Sequence, residues 1–418
     1  MTDCCAQPGL MTFEQALKEL TSKAVLTNGH QIEKVFIENA SHRILADAVT
    51  SPINVPGFDN SAMDGYAVKV NDLKATNQLK LVGKSFAGHP YNDTLKSGEC
   101  IRIMTGAVVP DGADAVVMQE NTSHQGQTEI GQTITFSKTP STGDNIRKAG
   151  EDIKESSTIL KPGKKLTAGD IGLIASLGIA QVSVYRKITI AVFSTGDEIQ
   201  SIGNSLQPGQ IYDSNRYALL SALSRLNINL LDLGVIADDQ NAIKQALEKA
   251  DNEVDLVITS GGVSVGEADY LKDIVESIGS LDLWKMAIKP GKPFAYGKLK
   301  QAHFIGLPGN PVSCLVTLYQ LAIPFIAKLQ GQTDFQRPSF FAKTSEAIKK
   351  SAGRKNFIRG VLTKDLQGEI TVKTTGSQGS GILSSISNAN CFIILEADQT
   401  NVNAGESVLV EPFADILE

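Results

Sequence analysis

The chain has 418 residues, which at roughly 150 residues per domain predicts two to four domains. Hydrophobic residues make up 42% and charged residues 20%, and the net charge of −6 gives no support to nonspecific nucleic-acid binding. No apolar run approaches the roughly 20 residues needed to cross a bilayer, and "MTDCCAQPGL" lacks the basic and apolar parts of a signal peptide.

The stretch "TFEQALKELTSKAVLT" (12–27) spaces Phe13, Ala16, Leu17, Leu20 and Val25 as a helix, with Thr12 as its cap. A strand and a connection are predicted over 32–50. From Ser51 to about Gly150, short β-rich runs alternate with Gly, Pro and Asp turns, which predicts a small β-rich domain. Next, "KPGKKL" reads as a turn and "TAGDIGLIASLGIAQVSVY" as a helix followed by a strand. Over 187–330, "KITIAVFST", "NLLDLGVI" and "VDLVITS" each precede a helix, the pattern of a parallel, doubly wound α/β sheet. The β runs "DLWKMAI", "PFAYGKL" and "HFIGL" follow, then a long helix from Pro311 to about Leu329. Residues 336–418 return to short β runs and predict a small barrel or sandwich.

Cys4, Cys5, Cys100, Cys314 and Cys391 show no C-x-x-C spacing and are too few to staple a chain of this length. They read as reduced thiols in a cytoplasmic protein, three of them small buried hydrophobes and two of them tail thiols.

Ligands of open parallel sheets bind beyond the C-terminal ends of the strands. Here those ends carry Asp197-Glu198, Asp238-Asp239, and Glu267 with Asp269. Taken singly, each acid is an ordinary turn residue or helix cap. Three acidic loops on one edge ask for more, because the same edge carries the glycine-rich turn "SGGVSVG" (Ser260, Gly261, Gly262 and Ser264 among its residues) and Lys285, Lys289 and Lys292 of "WKMAIKPGKPFAYG". Lysines punctuating an apolar run predict that two or more face a polar cleft, the alternative being edge-strand lysines. In "GLPGNPVS", Asn310 is expected to cap a helix with Pro311 at its first position, and Pro308 and Pro311 form a rigid lip. Acids, lysines and a glycine loop together suit an anionic ligand bound with a divalent cation: carboxylates hold Mg²⁺, the metal neutralises phosphate, and lysines take the remaining charge.

The β-rich half has its own dense loops: "VPGFDNSAMDGYAV" (55–68) with Asp59 and Asp64, "IRIMTGAVVPDGADAVVMQE" (101–120) and "NIRKAGEDI" (145–153). With these in place, the sequence closely resembles the MoeA family of molybdopterin molybdenumtransferases, whose eukaryotic relatives include the gephyrin E domain. The resemblance covers the chain after about residue 10 and rests on "PGFDNSAMDGYAV", "RIMTGA", "NIRKAGEDI", "STGDE", "SGGVSVGEADY", "KMAIKPGKPFAYG" and "GLPGNPVS", in that order.

The resemblance implies insertion of molybdenum from molybdate into adenylated molybdopterin, with release of AMP and a requirement for Mg²⁺. It implies an elongated homodimer of four-domain subunits: a linker domain (31–50 and 150–186), a β-rich domain (51–149), an α/β domain like that of molybdopterin adenylyltransferases (8–30 and 187–335), and a C-terminal β-barrel (336–418). The cleft is expected to be shared, the α/β domain of one subunit facing the β-rich domain of the other. Carried over by motif, the catalytic residues are Asp64, Asp152, Glu198, Asp238 and Asp269, the last three also metal-holding. Thr105, Arg147, Lys285, Lys289, Arg359 and Ser380 join the glycine-turn residues and the two prolines as substrate contacts. The chain departs from the family pattern after Asn145-Ile146, where relatives carry a run of arginines and this sequence reads Arg147-Lys148-Ala149. Expected partners are an adenylyltransferase and the maturation proteins of molybdoenzymes, with neither nucleic acid nor membrane. Two other readings compete. One is the adenylyltransferase step on the same fold, against which the extra domains and the "NSAMDGYAV" loop argue. The other is a peptide-binding scaffold or cofactor carrier, which has no need of the acids and lysines.

Overall fold

The structure, a computed structural model, describes residues 9–124, 126, 128–261, 270–413 and 417. The first helix, Phe13–Ser22, opens on a capping box in which Thr12 and Gln15 bond each other's backbone N–H. It buries Phe13, Ala16 and Leu20 in the core of the α/β unit. The helix is shorter than its apolar spacing suggests. It stops at Lys23; Val25, beyond its end, is 66% exposed, and the Val25 carbonyl accepts a hydrogen bond from His303.

Two small units follow. Strand Ile32–Phe36 pairs antiparallel with Gln181–Tyr185, and Val49–Thr50 with Thr158–Leu160. Helix Ala168–Ser176, capped by Thr167 and Asp170, packs with them around Leu45, Leu166, Ile174 and Val184. The β-rich unit is a five-stranded sheet in the spatial order Ala115–Met118, Gly65–Val68, Glu99–Ile103, Gln78–Ser85, Thr133–Thr135. Alternation in Gln78–Ser85 turns Leu79 and Leu81 inward onto Tyr66, Val68 and Ile134.

The α/β unit is built on Thr189–Thr195 (β1), Asn229–Ile236 (β2), Leu256–Ser260 (β3), Ser280–Lys285 (β4), Pro293–Lys298 (β5) and His303–Leu307 (β6), in the order β2-β1-β3-β6-β5-β4. The first four in that order are parallel, and β5 runs against both its neighbours. Both faces are covered: Ile190 and Val192 enter one core, Ala191 and Phe193 the other. This is why β1 reads as a continuous apolar run rather than an alternating one.

The expectation that no apolar run approaches membrane-spanning length needs correction. Pro311–Leu329 has the length and mean hydropathy to cross a bilayer, but 94% of that window is buried inside the protein. Its middle, Leu318–Ala322, is wound as a π-helix just before Pro324, which has no N–H for an i−4 bond.

The C-terminal unit closes on itself. Strands Lys355–Lys364, Ile370–Thr374, Phe340–Thr344, Ser407–Pro412 and Cys391–Leu395 pair in sequence, and the last pairs back onto the first. Ile288–Lys289 adds to the outside of this barrel, parallel to Lys355–Asn356. Phe357 lies edge-on to Phe13 with centroids 5.3 Å apart, so barrel and α/β core share an aromatic seam. Cys100, Cys314 and Cys391 are buried free thiols; Cys4 and Cys5 lie outside the described residues.

One buried titratable group locks the first connection to the sheet. His303, 2% exposed, donates from Nε2 to the Val25 carbonyl (2.8 Å) and so accepts at Nδ1 from the Tyr296 hydroxyl (2.9 Å). Burial, with the Lys298 ammonium beside it, pushes its pKa from the usual 6.5 to about 4. The folded state therefore takes up fewer protons than the unfolded chain between those values, and stability falls as pH drops from about 6.5 toward 4. The loss amounts to roughly 3 kcal/mol. His303→Phe is expected to be less stable at pH 7 but to show a flatter pH dependence over that window in urea titrations.

Candidate functional site

Among the described residues, the C-terminal ends of the neighbouring strands β1 and β2 form an acidic edge, with the end of β3 on the other side of β1. Beyond β1, Gly196 has φ +145°, and a Cβ there would sit 2.7 Å from a carboxylate oxygen of Glu198, which is folded back over it. Beyond β2, Asp238 accepts from Thr195 Oγ1 at 3.5 Å. Burial, followed by the nearby Asp197 and Glu198 carboxylates, pushes the Asp238 carboxyl up. Asp239 has the ordinary role its position allows, capping helix Gln240–Glu253 through Asn241 and Ala242 N–H.

A cavity of about 520 Å³ opens beside this edge, at the ends of β1, β3 and β6, lined by Glu198, Ser260, Gly261, Pro308 and Pro311 of the residues singled out in the sequence; Asp238 does not line it. Gly261 has φ +95° and passes so close to the Thr195 carbonyl that a Cβ would lie 3.3 Å from it. Gly262, Ser264, Glu267 and Asp269 lie outside the described residues. Among the described residues, no three His, Cys, Asp or Glu side chains gather closely enough to enclose a metal ion.

Sequence reasoning missed the network beneath the cavity. Asp213 is buried, caps helix Ser214–Ser224 through Arg216 N–H and pairs with Arg216 Nε at 2.9 Å. Arg216 also reaches Asp232 at 2.5 Å. Ser194 donates to Asp213 at 3.2 Å, which leaves Ser260 to donate to Ser194 at 3.3 Å. Asn215 Nδ2 donates to the Gly309 carbonyl at 2.7 Å, fastening the proline lip to the same helix. The signal available was an Asp-Ser-Asn run ahead of a helix, which reads only as a cap.

The lysines are placed differently from expectation. Trp284, Met286, Ala287 and Ile288 turn inward while Lys285, Lys289 and Lys292 are all exposed, so the apolar neighbours do not force the ammonium groups into a cleft. Lys285 sits opposite Pro293, a lining residue of the 520 Å³ cavity. Lys289 lines a second cavity of about 180 Å³ on the seam with the barrel, together with Lys349 and Arg359 and with no carboxylate. Arg359 is not a surface contact: it is 1% exposed, donating to Ser385 Oγ (3.0 Å) and the Gly379 carbonyl (3.2 Å). Burial lowers its pKa to about 10, and no carboxylate among the described residues pairs with it. Ser380 joins the lip through its backbone, its carbonyl accepting from Val312 N at 3.0 Å. This bond serves the start of helix Pro311–Thr317, where Asn310 occupies the cap position without a side-chain bond.

In the β-rich unit, the three motif loops converge. Ser61 N bonds Ala107 O, Gly106 N bonds Ser61 O, Ala62 N bonds Asn145 O, and Asp152 N bonds Val55 O. Asp64 Oδ1 accepts from Thr105 N and Thr105 Oγ1, each at 2.8 Å, and these bonds hold its carboxyl below the usual range. Arg147 pairs in register with Asn60, and Asp59 takes Lys148 Nζ at 2.7 Å and Ala149 N at 2.9 Å. Asp64, Thr105, Arg147 and Asp152 are all exposed, and none lines either cavity described above.

Three family models match in succession: "MoeA N-terminal region (domain I and II)" over 11–178, "Probable molybdopterin binding domain" over 191–328, and "MoeA C-terminal region (domain IV)" over 342–413. The chain is 47% identical over 409 residues to a molybdopterin molybdenumtransferase of Haemophilus influenzae, covering 98% of this chain and 100% of that protein. It is 32% identical over 447 residues to gephyrin of Dictyostelium discoideum, covering 94% of this chain and 61% of that protein. Among solved structures, a molybdopterin biosynthesis MoeA protein from Pyrococcus horikosii superposes with a TM-score of 0.76 at 33% identity, over 97% of this chain and 99% of that one.

Because Thr105 gives Asp64 both its hydrogen bonds, Thr105→Val removes one and keeps the other. The Asp64 carboxyl is then expected to titrate at higher pH than in the parent, by NMR of the labelled carboxylate, with the fold unchanged. An unshifted titration would show that the hydroxyl does not hold the carboxylate in its charged form.

Proposed function

The chain belongs to the MoeA family of molybdopterin molybdenumtransferases, enzymes of molybdenum cofactor biosynthesis, and from that premise we propose that it inserts molybdenum from molybdate into adenylated molybdopterin, releasing AMP in a Mg²⁺-dependent step. The observation that carries the finer reading is Arg359, a guanidinium buried without an anionic partner beside Lys289 and Lys349. A buried charge left uncompensated is costly, so the pocket is built for an anion that comes and goes. Its small volume and carboxylate-free lining suit a tetrahedral oxyanion such as molybdate.

The acidic edge has the complementary character. Asp238 is pushed up first by burial and then by the nearby Asp197 and Glu198 carboxylates, and a divalent cation would offset both the lost solvation and the repulsion. A few oxygen donors without an enclosing cage suit Mg²⁺, which keeps waters and phosphate oxygens as its other ligands. Glu198 and Asp238 would hold it, with Asp269, which lies outside the described residues, as the third carboxylate that the family resemblance implies. Bound there, Mg²⁺ would supply positive charge to offset the pyrophosphate oxygens of the adenylated substrate. The chain's own groups then do the positioning. Ser260 and Gly261 set the floor of the cavity, and Pro308 and Pro311 set its lip, steadied by Asn215 and by the Ser380 carbonyl. Lys285, opposite Pro293, would take phosphate charge, and Lys289, in the second cavity with Arg359, would take molybdate charge.

In this reading Asp64 and Asp152 reach this centre from a second subunit, which fits two cavities with no lining residue from 51–152 of the same chain. We take the working unit to be a homodimer with a shared cleft. Asp64, kept ionised and aimed by Thr105, steers the attacking oxygen or a second cation; Arg147 adds an anion contact. A cytoplasmic setting, an adenylyltransferase that supplies the substrate and molybdoenzyme maturation proteins that take the product complete the reading.

The direct experiment follows AMP release from adenylated molybdopterin with and without molybdate. Release that requires molybdate and Mg²⁺, and that is lost in Asp64→Ala while the thermal transition is retained, supports the reading; molybdate-independent release, or full turnover by Asp64→Ala, overturns it. Mixing Asp64→Ala with Glu198→Ala subunits is expected to restore turnover, because one mixed cleft is intact; no recovery in confirmed mixed dimers would place both residues in the same subunit's site. Arg359→Lys is expected to raise the molybdate concentration for half-maximal release by about tenfold or more, measured against an unchanged adenylate affinity.

A further inference from the structure

The 520 Å³ cavity has a wall that neither the acids nor the lysines explain. After β1 the chain forms a short arm in which Ile199–Gln200 pairs in parallel with Ile211–Tyr212, residues 201–210 crossing between them. This arm is conspicuously apolar for an exposed element: Ile202, Leu206, Ile211 and Tyr212 are each between 42% and 57% exposed. Ile199, Ile211 and Tyr212 line the cavity. Tyr212 is also tethered, its hydroxyl donating to the Asn204 carbonyl at 2.8 Å, so the ring is held by its polar end while its apolar body stays 44% exposed.

Strand order gives the span of the space. The arm leaves β1, while Pro308 follows β6 and Pro293 opens β5, two and three strands away across the sheet. At about 4.8 Å per strand the two apolar sides lie about 10 to 14 Å apart, with the hydroxyl-bearing Thr195 and Ser260 on the floor between them. That is room for a flat ring on the arm and its phosphate above the floor. An anchored tyrosine gives a planar heterocycle a stacking surface that costs little to order, since only two side-chain torsions are fixed.

We propose that Tyr212 is the stacking platform for the planar nitrogen heterocycle of the ligand in this cavity, and so a specificity-determining residue. The proposal rests on the reading of that ligand as adenylated molybdopterin, which offers two such rings, adenine and pterin. The arm also couples the ring to the acidic loop. Ile211 N donates to the Glu198 carbonyl at 2.8 Å, and Asp213 N to the Gln200 carbonyl at 3.2 Å. A ring seated on Tyr212 therefore steadies the same ladder that carries Glu198.

The test is calorimetric binding of AMP, ribose 5-phosphate and molybdopterin to the full chain and to Tyr212→Ala and Tyr212→Phe, with Mg²⁺ present. For adenine on the platform, Tyr212→Ala weakens AMP by about five- to 150-fold, Tyr212→Phe stays close to the parent, and ribose 5-phosphate is unaffected. For pterin on the platform, the same pattern appears with molybdopterin while AMP is unchanged. Equal binding of both ring ligands to the parent and to Tyr212→Ala overturns the platform alone. Failure of the parent to bind either one overturns the platform together with the substrate reading. The Phe variant separates lost stacking from a collapsed arm, since it keeps the ring and gives up only the tether.

Discussion

The α/β unit is governed by the hydrogen-bonding demand of a parallel sheet buried on both faces. Its central strands present apolar side chains above and below, so no polar group needed for chemistry can project from their middles without a partner. Polarity is driven to the ends. Asp197, Glu198 and Asp238 sit where strands finish, and the glycines there let the backbone pass at distances a side chain would forbid, as at Gly261 beside the Thr195 carbonyl. Buried Asp213 and Arg216, with the exposed Asp232, obey the same demand one layer down, each carboxylate answered by the guanidinium.

Opposite charge is handled by a second principle, the seam between two units. Ile288–Lys289 leaves the α/β unit and adds a strand to the barrel, which brings Lys289 to the lining that also holds Arg359. Neither unit alone builds that pocket. The proline lip at the cavity edge ties sheet to barrel. It is held by Asn215 from the sheet side and by the Ser380 carbonyl from the barrel.

Much of this was legible in the sequence. Strands that read as uninterrupted apolar runs, with helices of 3.6-residue spacing between them, give the sheet and its direction, and the acids after β1 and β2 lie at strand ends as their positions suggest. What escaped depends on side-chain direction rather than on pattern. Lys285 points outward at the end of an edge strand paired across to Pro293, while Lys289 sits in the segment that joins the barrel, so strand pairing rather than apolar pattern decides where each faces. Arg359 lies in a strand between Phe357 and Val361 in a stretch that gives no hint of a fully enclosed guanidinium. The arm carrying Tyr212 hides inside "EIQSIGNSLQPGQIYDSN", whose Gly, Pro, Ser and Asn content reads as plain loop because a two-residue ladder leaves no periodicity. Val25 lies beyond the helix end at Lys23, and its carbonyl accepts from His303, a long-range contact that apolar spacing does not signal.

The borrowed strand bears on any attempt to cut the protein into pieces. A fragment ending before the barrel would keep Ile288–Lys289 with nothing along its outer side, an open template for another chain. It would also strip Phe357, Phe392 and Phe413 from Phe13 and Tyr319, uncovering an aromatic patch on the fragment. Such a fragment would meet its own copies through an unsatisfied edge and a greasy face, and it would be a poor stand-in for the intact chain in crystallisation or in gene-fusion work.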